Sequence, residues 1–216
     1  MNKIISILLF ASSLFAQTWT EIQPAGDVDK AWQSVSIYDS IAIAGGSNGR
    51  LYRSNDYGAT WNEIQPAGDA NKTWQPVSIY DSIAIAGVSG GRLYRSNDYG
   101  ATWSEIQPAG DANKYWLPVS IYDSIAIAGV PGGRLYRSSD YGATWSEIQP
   151  AGDVDKYWQS VSIYDSIAIA EVWGGRLYRG VFTTTSIKKV LGVSYSNIKK
   201  INGVSKSSIK KVSGVD

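Results

Sequence analysis

The 216-residue chain carries 20 Lys and Arg against 19 Asp and Glu, a formal net charge of +1, and has neither Cys nor His. It therefore has no disulfide framework, no imidazole base and no Cys/His zinc set. The balance hides a division: residues 17–185 hold 12 basic and 18 acidic side chains, and residues 186–216 hold seven Lys against Asp216 alone, so the body is ill suited to nucleic acid.

Lys3, the apolar run Ile4 to Phe15 and the small residue Ala16 have the form of a secretory signal peptide over residues 1–16. The run is short for a membrane span, so the mature chain is expected to be secreted or held at the cell surface. What remains is long enough for one sizeable core.

The body is periodic. Trp19, Trp61, Trp103 and Trp145 are each 42 residues apart, as are Trp32, Trp74, Trp116 and Trp158, and a fixed period of this length marks a repeat architecture. In the first full unit, Trp32 to Tyr38 alternates in β-forming residues and predicts strand A. Asp39-Ser40 is a turn, and Ile41 to Ala44 is strand B, with Ile on one face and Ala on the other. Arg50 to Ser54 is strand C, and Thr60 to Gln65 is strand D. Gln65-Pro66-Ala67-Gly68 has the residue pattern of a β-turn leading to the next strand A. No segment sustains a helical period.

Between strands C and D lies Ser54-Asn55-Asp56-Tyr57-Gly58-Ala59-Thr60-Trp61, repeated at residues 96–103 and, with Ser139 for Asn, at 138–145. Its Asp can accept backbone N–H groups of its own turn, its Gly permits positive φ, and its Trp anchors the following strand. Ser54, Asp56, Gly58 and Trp61, with Ser96, Asp98, Gly100 and Trp103 and with Ser138, Asp140, Gly142 and Trp145, resemble the Asp-box (BNR repeat) of β-propellers such as sialidases and photosystem assembly factors. The resemblance implies a structural role for these residues.

The expected fold is all-β: a β-propeller of four antiparallel four-stranded blades over residues 17–182. The N-terminal strand 18–23 is a strand D without A to C, and residues 158–179 are A to C without D, so the first is expected to complete the last blade. Two chains sharing strands into eight blades is the alternative, and mass in solution separates the two.

The copies differ mainly in the D-to-A loop with the start of strand A, and in the B-to-C turn. Antiparallel strands bring both out on one face, opposite the boxes. Lys30, Lys72, Lys114 and Lys156 supply donors there, Asn48 lies in the first B-to-C turn, and Tyr115, Tyr157 and Trp173 offer aromatic platforms. Trp32, Trp74, Trp116 and Trp158 have two readings: wedges between blades, or exposed platforms for sugar rings.

A sialidase-like enzyme would need unlike groups converging on one point. Arg50, Arg92, Arg134 and Arg176 instead recur once per unit, and only Glu171 and Trp173 depart abruptly from the repeat. No catalytic residue, cofactor or metal is expected. The expected function is a lectin-like binding module whose partner is a glycan or cell-surface polymer; a protein-docking scaffold is the alternative, which the likeness to assembly factors implies. Residues 183–216 form a basic tail with three 11-residue repeats around Ile-Lys-Lys-Val/Ile-x-Gly-Val, predicted as short strands or as a segment that orders on contact. The tail could clamp the acidic ring, bridge to another chain or hold the protein on an anionic cell surface.

Overall fold

The computed structural model describes residues 18–182 and four two-residue strands in the tail; the expected signal peptide lies outside the described residues. The first blade is β1 (Trp32–Tyr38), β2 (Ile41–Gly46), β3 (Leu51–Ser54) and β4 (Asn62–Ile64), antiparallel in that order. The second is β5 (Trp74–Tyr80), β6 (Ile83–Gly91), β7 (Leu93–Ser96) and β8 (Ser104–Ile106). After β9 (Lys114–Tyr115) comes the third, β10 (Val119–Tyr122), β11 (Ile125–Gly129), β13 (Leu135–Ser138) and β14 (Ser146–Ile148), with β12 (Pro131–Gly133) set in its B-to-C turn. The last blade contains β15 (Lys156–Tyr164), β16 (Ile167–Val172) and β17 (Leu177–Val181). In the tail, β18 (Lys189–Val190) pairs with β19 (Val193–Ser194), and β20 (Lys200–Ile201) with β21 (Val204–Ser205).

The Ile/Ala division of strand B becomes the joint between blades. Ile41, Ile43 and Leu51 of the first blade cover Trp74, Val77, Ile79, Ala84 and Ala86 of the second. The same positions build the next two joints. A bulky face therefore meets a small one. Each large side chain buried there contributes about 1.5–3 kcal/mol.

Strand A of each blade lies beside strand A of the next. Ser34 Oγ accepts from Val77 N at 3.0 Å and Ser36 Oγ from Ile79 N at 3.1 Å; Ser78 and Ser120 repeat the contact. Tyr38, Tyr80, Tyr122 and Tyr164 end these strands as a row of rings 5.0, 4.6 and 5.1 Å apart.

The expected closure by the N-terminal strand needs correction. Residues 18–23 form no strand, and Trp19 is 88% exposed. The last sheet reaches four strands through β12, borrowed from the third blade, and β17 is its outer edge among the described residues. The reason is that the last blade does not cover the first. Val35 and Ile37 are 70% and 60% exposed, where their equivalents Val77 and Ile79 are 7% and 5%. The described body is thus an open arc, and an N-terminal segment with no blade beside it has no ladder to join.

Candidate functional site

The two variable segments of the repeat are brought together, and by backbone pairing. Lys72 N donates to Gly49 O at 2.8 Å and Gly49 N to Lys72 O at 2.9 Å. Ser89 and Gly91 likewise pair with Tyr115 and Lys114, and Pro131 and Gly133 with Tyr157 and Lys156. The first three B-to-C turns are therefore each stitched to the start of strand A in the next blade, and Trp173 N of the last turn donates to Tyr157 O within its own blade at 2.9 Å. One such seam holds a recess of about 360 Å³ lined by Asn48, Lys72, Thr73, Ser89, Arg92 and Asn113, among others.

The aromatic groups sit on this face at the later blades. Tyr115 is exposed and lies over Gly90, where an added Cβ would be 3.4 Å from its ring. Tyr157 and Trp173 are both exposed and stand 5.8 Å apart at 57°. Earlier in the chain the tyrosine position holds Ala31 and Thr73, and the Trp173 position holds Ser47, Ser89 and Pro131, so the aromatic surface grows along the arc. Lys30 is exposed, and Lys72, Lys114 and Lys156 are half-buried. Asn48 is exposed, with φ 44° and its N–H directed to Thr73 Oγ1 at 3.3 Å.

The strand A indoles require correction as ligand platforms. Trp74, Trp116 and Trp158 are each 2% exposed. Their rings fill the joints, each set edge-on to the strand C tyrosine of its own blade. The N–H of Trp116 donates to Gly91 O at 3.2 Å and that of Trp158 to Gly133 O at 3.1 Å. An indole so enclosed has no face left for a sugar. Trp32 is half open only because no blade covers it.

Three of the four recurring arginines are also committed to ion pairs. Arg50 lies 2.5 Å from Asp69 and 3.5 Å from Glu63, and Arg92 2.5 Å from Asp111 and 3.7 Å from Glu105. Arg134 meets Asp153 at 2.7 Å, Asp155 at 2.8 Å and Glu147 at 3.8 Å. Each is neutralised within its own repeat, which leaves it a poor clamp for a substrate carboxylate.

In the box, buried Ser54 donates to Asp56 Oδ1 at 2.7 Å and accepts from Gly58 N at 2.9 Å. Asp56 accepts from Thr60 N at 2.8 Å and from Thr60 Oγ1 at 2.6 Å. Trp61 Nε1 closes the loop on Gly58 O at 2.9 Å. Tyr57 and Gly58 occupy the left-handed region at φ 60° and 87°, which explains the Gly. Both other boxes repeat the network. The box also reaches across the joint: Arg53 Nε donates to Tyr99 O and Arg95 Nε to Tyr141 O, both at 2.6 Å. The last blade has no box, and Arg137 instead stands 4.4 Å over the Phe182 ring.

A second recess, formed by invariant positions of the repeat, lies on the box side. It measures about 620 Å³ and is lined by Tyr38, Asp39, Arg53, Asp81, Asp98 and Tyr99, among others. Its signal was their unvarying return at period 42.

Hydrogen bonds from the Thr60 hydroxyl, the Thr60 N–H and Ser54 hold the Asp56 carboxyl down at about 2, and Asp98 is likewise at about 2 through Thr102. A carboxylate depressed on folding adds stability above its unfolded pKa and loses it as pH falls through the folded value. The urea midpoint is therefore expected to drop between about pH 4 and pH 2. The variant with Asp56, Asp98 and Asp140 all changed to Asn should start lower and show a shallower drop; an equally steep one would remove the boxes as its source.

Residues 135–148 match the BNR-Asp box repeat family model. No curated protein sequence matches the chain. Among solved structures, the computationally designed Ika4 protein superimposes with a TM-score of 0.59 at 11% identity, over 77% of this chain and 100% of that one. YCF48 bound to D1 peptide gives a TM-score of 0.51 at 20% identity over 72% of this chain and 54% of YCF48, and an ancestral GH74 enzyme gives 0.57 at 15% over 76% of this chain and 24% of the enzyme. The chain thus spans about half the length of YCF48 and a quarter of the GH74 enzyme. In its fold and in the box at residues 135–148, the chain is similar to the Asp-box β-propellers.

Proposed function

We propose that this is an exported, non-catalytic binding module that takes carbohydrate on its D-to-A and B-to-C loop face. The observation that carries the reading is the exposed Tyr157–Trp173 pair, with Tyr115 on the preceding blade. Open aromatic faces stack on the C–H faces of a sugar ring, while Lys and Asn side chains take its hydroxyls. The seams beneath are fixed by main-chain hydrogen bonds, so the platforms are held in place before a ligand arrives, which lowers the ordering cost of binding. Several similar seams along one arc favour a polymer, whose units are bound together with gain in avidity.

A glycan array read with the intact chain should show binding that falls at least tenfold in Tyr157→Ala and Trp173→Ala. Replacing Lys30, Lys72, Lys114 and Lys156 together should weaken it further, since backbone pairing does not need those side chains. Undiminished binding in these variants would remove the face from consideration. A protein-docking scaffold is the second reading, favoured by the superposition on YCF48 solved with a peptide. A pull-down that captures a protein through Trp173 while the array stays silent would select it.

A further inference from the structure

The arc ends in two unlike faces that match each other. At its head, Trp32, Val35 and Ile37 occupy the positions that inner blades bury against the preceding blade. At its tail, Ile169 and Leu177 occupy those that inner blades bury against the following one, and Leu177 is 70% exposed where Leu135 is 1%.

The N-terminal segment matches the tail as well. Trp19, Glu21, Ile22 and Gln23 lie 42 residues before Trp61, Glu63, Ile64 and Gln65 of the first strand D. The turn that follows already has the inner form: Gly26 N donates to Gln23 O at 3.1 Å, as Gly68 N does to Gln65 O at 3.1 Å. Charge agrees. Arg50, Arg92 and Arg134 are neutralised by carboxylates 13 and 19 residues downstream. For Arg176 those positions hold Lys189 and Tyr195, and the carboxylates of matching register are Glu21 and Asp27.

We propose that the arc closes with a second copy of this chain into an eight-blade, two-chain ring. Residues 18–23 of each copy then supply strand D to the last blade of the other. By the register Leu51↔Ile64 and Tyr52↔Glu63, Leu177 faces Ile22 and Tyr178 faces Glu21 of the second copy. The two uncovered end faces select this partner, because four blades leave both open and the chain can add blades only four at a time. The two new joints are identical and related by a two-fold axis, a closed assembly.

One residue makes them differ from the inner joints. Glu171 stands where Gly45 adjoins Trp74, so the new joint is looser at that point and places a carboxylate beside the start of β1 of the second copy, two residues after Lys30.

Light scattering on the purified full chain should give the mass of two chains. Leu177→Asp and Val35→Asp, at opposite ends, should each reduce it to one chain while the β circular dichroism is kept. Mixing these two variants should restore the two-chain species, because one joint of the mixed pair is intact. Should either variant misfold, Arg176→Glu on the exposed surface should weaken pairing at least tenfold, and Glu21→Lys with Asp27→Lys in the same chain should recover it. A single-chain mass for the unaltered protein, an open ladder of higher masses, or no recovery on mixing or charge exchange overturns the proposal.

Discussion

Trp116→Ala is expected to destabilise the protein by about 3–5 kcal/mol, the range for emptying a large aromatic site in a core. Trp116 is 2% exposed and packs among Ile83, Ile85, Leu93, Ile121, Ala126 and Ala128, with the Tyr136 ring 5.8 Å away. Its neighbours come from two blades, so the loss falls on the joint as well as on one sheet. The N–H donor to Gly91 O goes with it and leaves a carbonyl without that partner. Arrays of repeats are held largely by nearest-neighbour contacts, so a weakened central joint should also broaden the urea transition. Trp173→Ala, at an exposed turn, should cost within about 0.5 kcal/mol. A loss below about 1 kcal/mol in Trp116→Ala would return the indole to solvent and to the ligand face.

The sequence states within one repeat what its hydrogen bonds and packing decide locally. Strands A to D, the box network and the turn at Gly68 all follow from residues a few places apart, and each is found where expected. Ile and Ala alternating on strand B foretold a large-on-small joint, and core neighbours such as Ile43 against Ala84 and Ala86 are its result. Hydropathy could not tell a wedge from a platform at Trp116, since an indole suits both. What separates them is the shape of the joint, a property of two blades at once. Closure failed for a related reason: residues 18–23 carry the pattern of strand D, while whether the last blade meets the first is written in no single repeat. The loop face was legible as variation, but its stitching by backbone pairs at Gly49–Lys72 and Ser89–Tyr115 was not, because backbone groups leave no trace in residue type.

Gly45→Glu copies into the first blade the residue that the last blade already has at Glu171, and it should destabilise the fold by about 3 kcal/mol or more. A Cβ on Gly45 would lie 2.7 Å from Trp74 Cβ and 2.8 Å from Trp74 O. The second of these is backbone held in strand β5, so no rotamer change relieves it. The carboxylate would enter a joint lined by Leu51 and Trp74, where burial without a partner adds to the steric loss. Gly45→Ala separates the two causes, since it keeps the close approach and omits the charge. Within one chain the same Glu is tolerated at position 171 because the Leu177 face beside it is open, and Glu171→Gly in the single-chain Leu177→Asp background should shift stability by no more than about 1 kcal/mol. Urea midpoints for the three variants measure these differences. If Gly45→Glu unfolds no more easily than Glu171→Gly, the first joint is as open as the last edge, and the packing that sets the blade angle is not the one described.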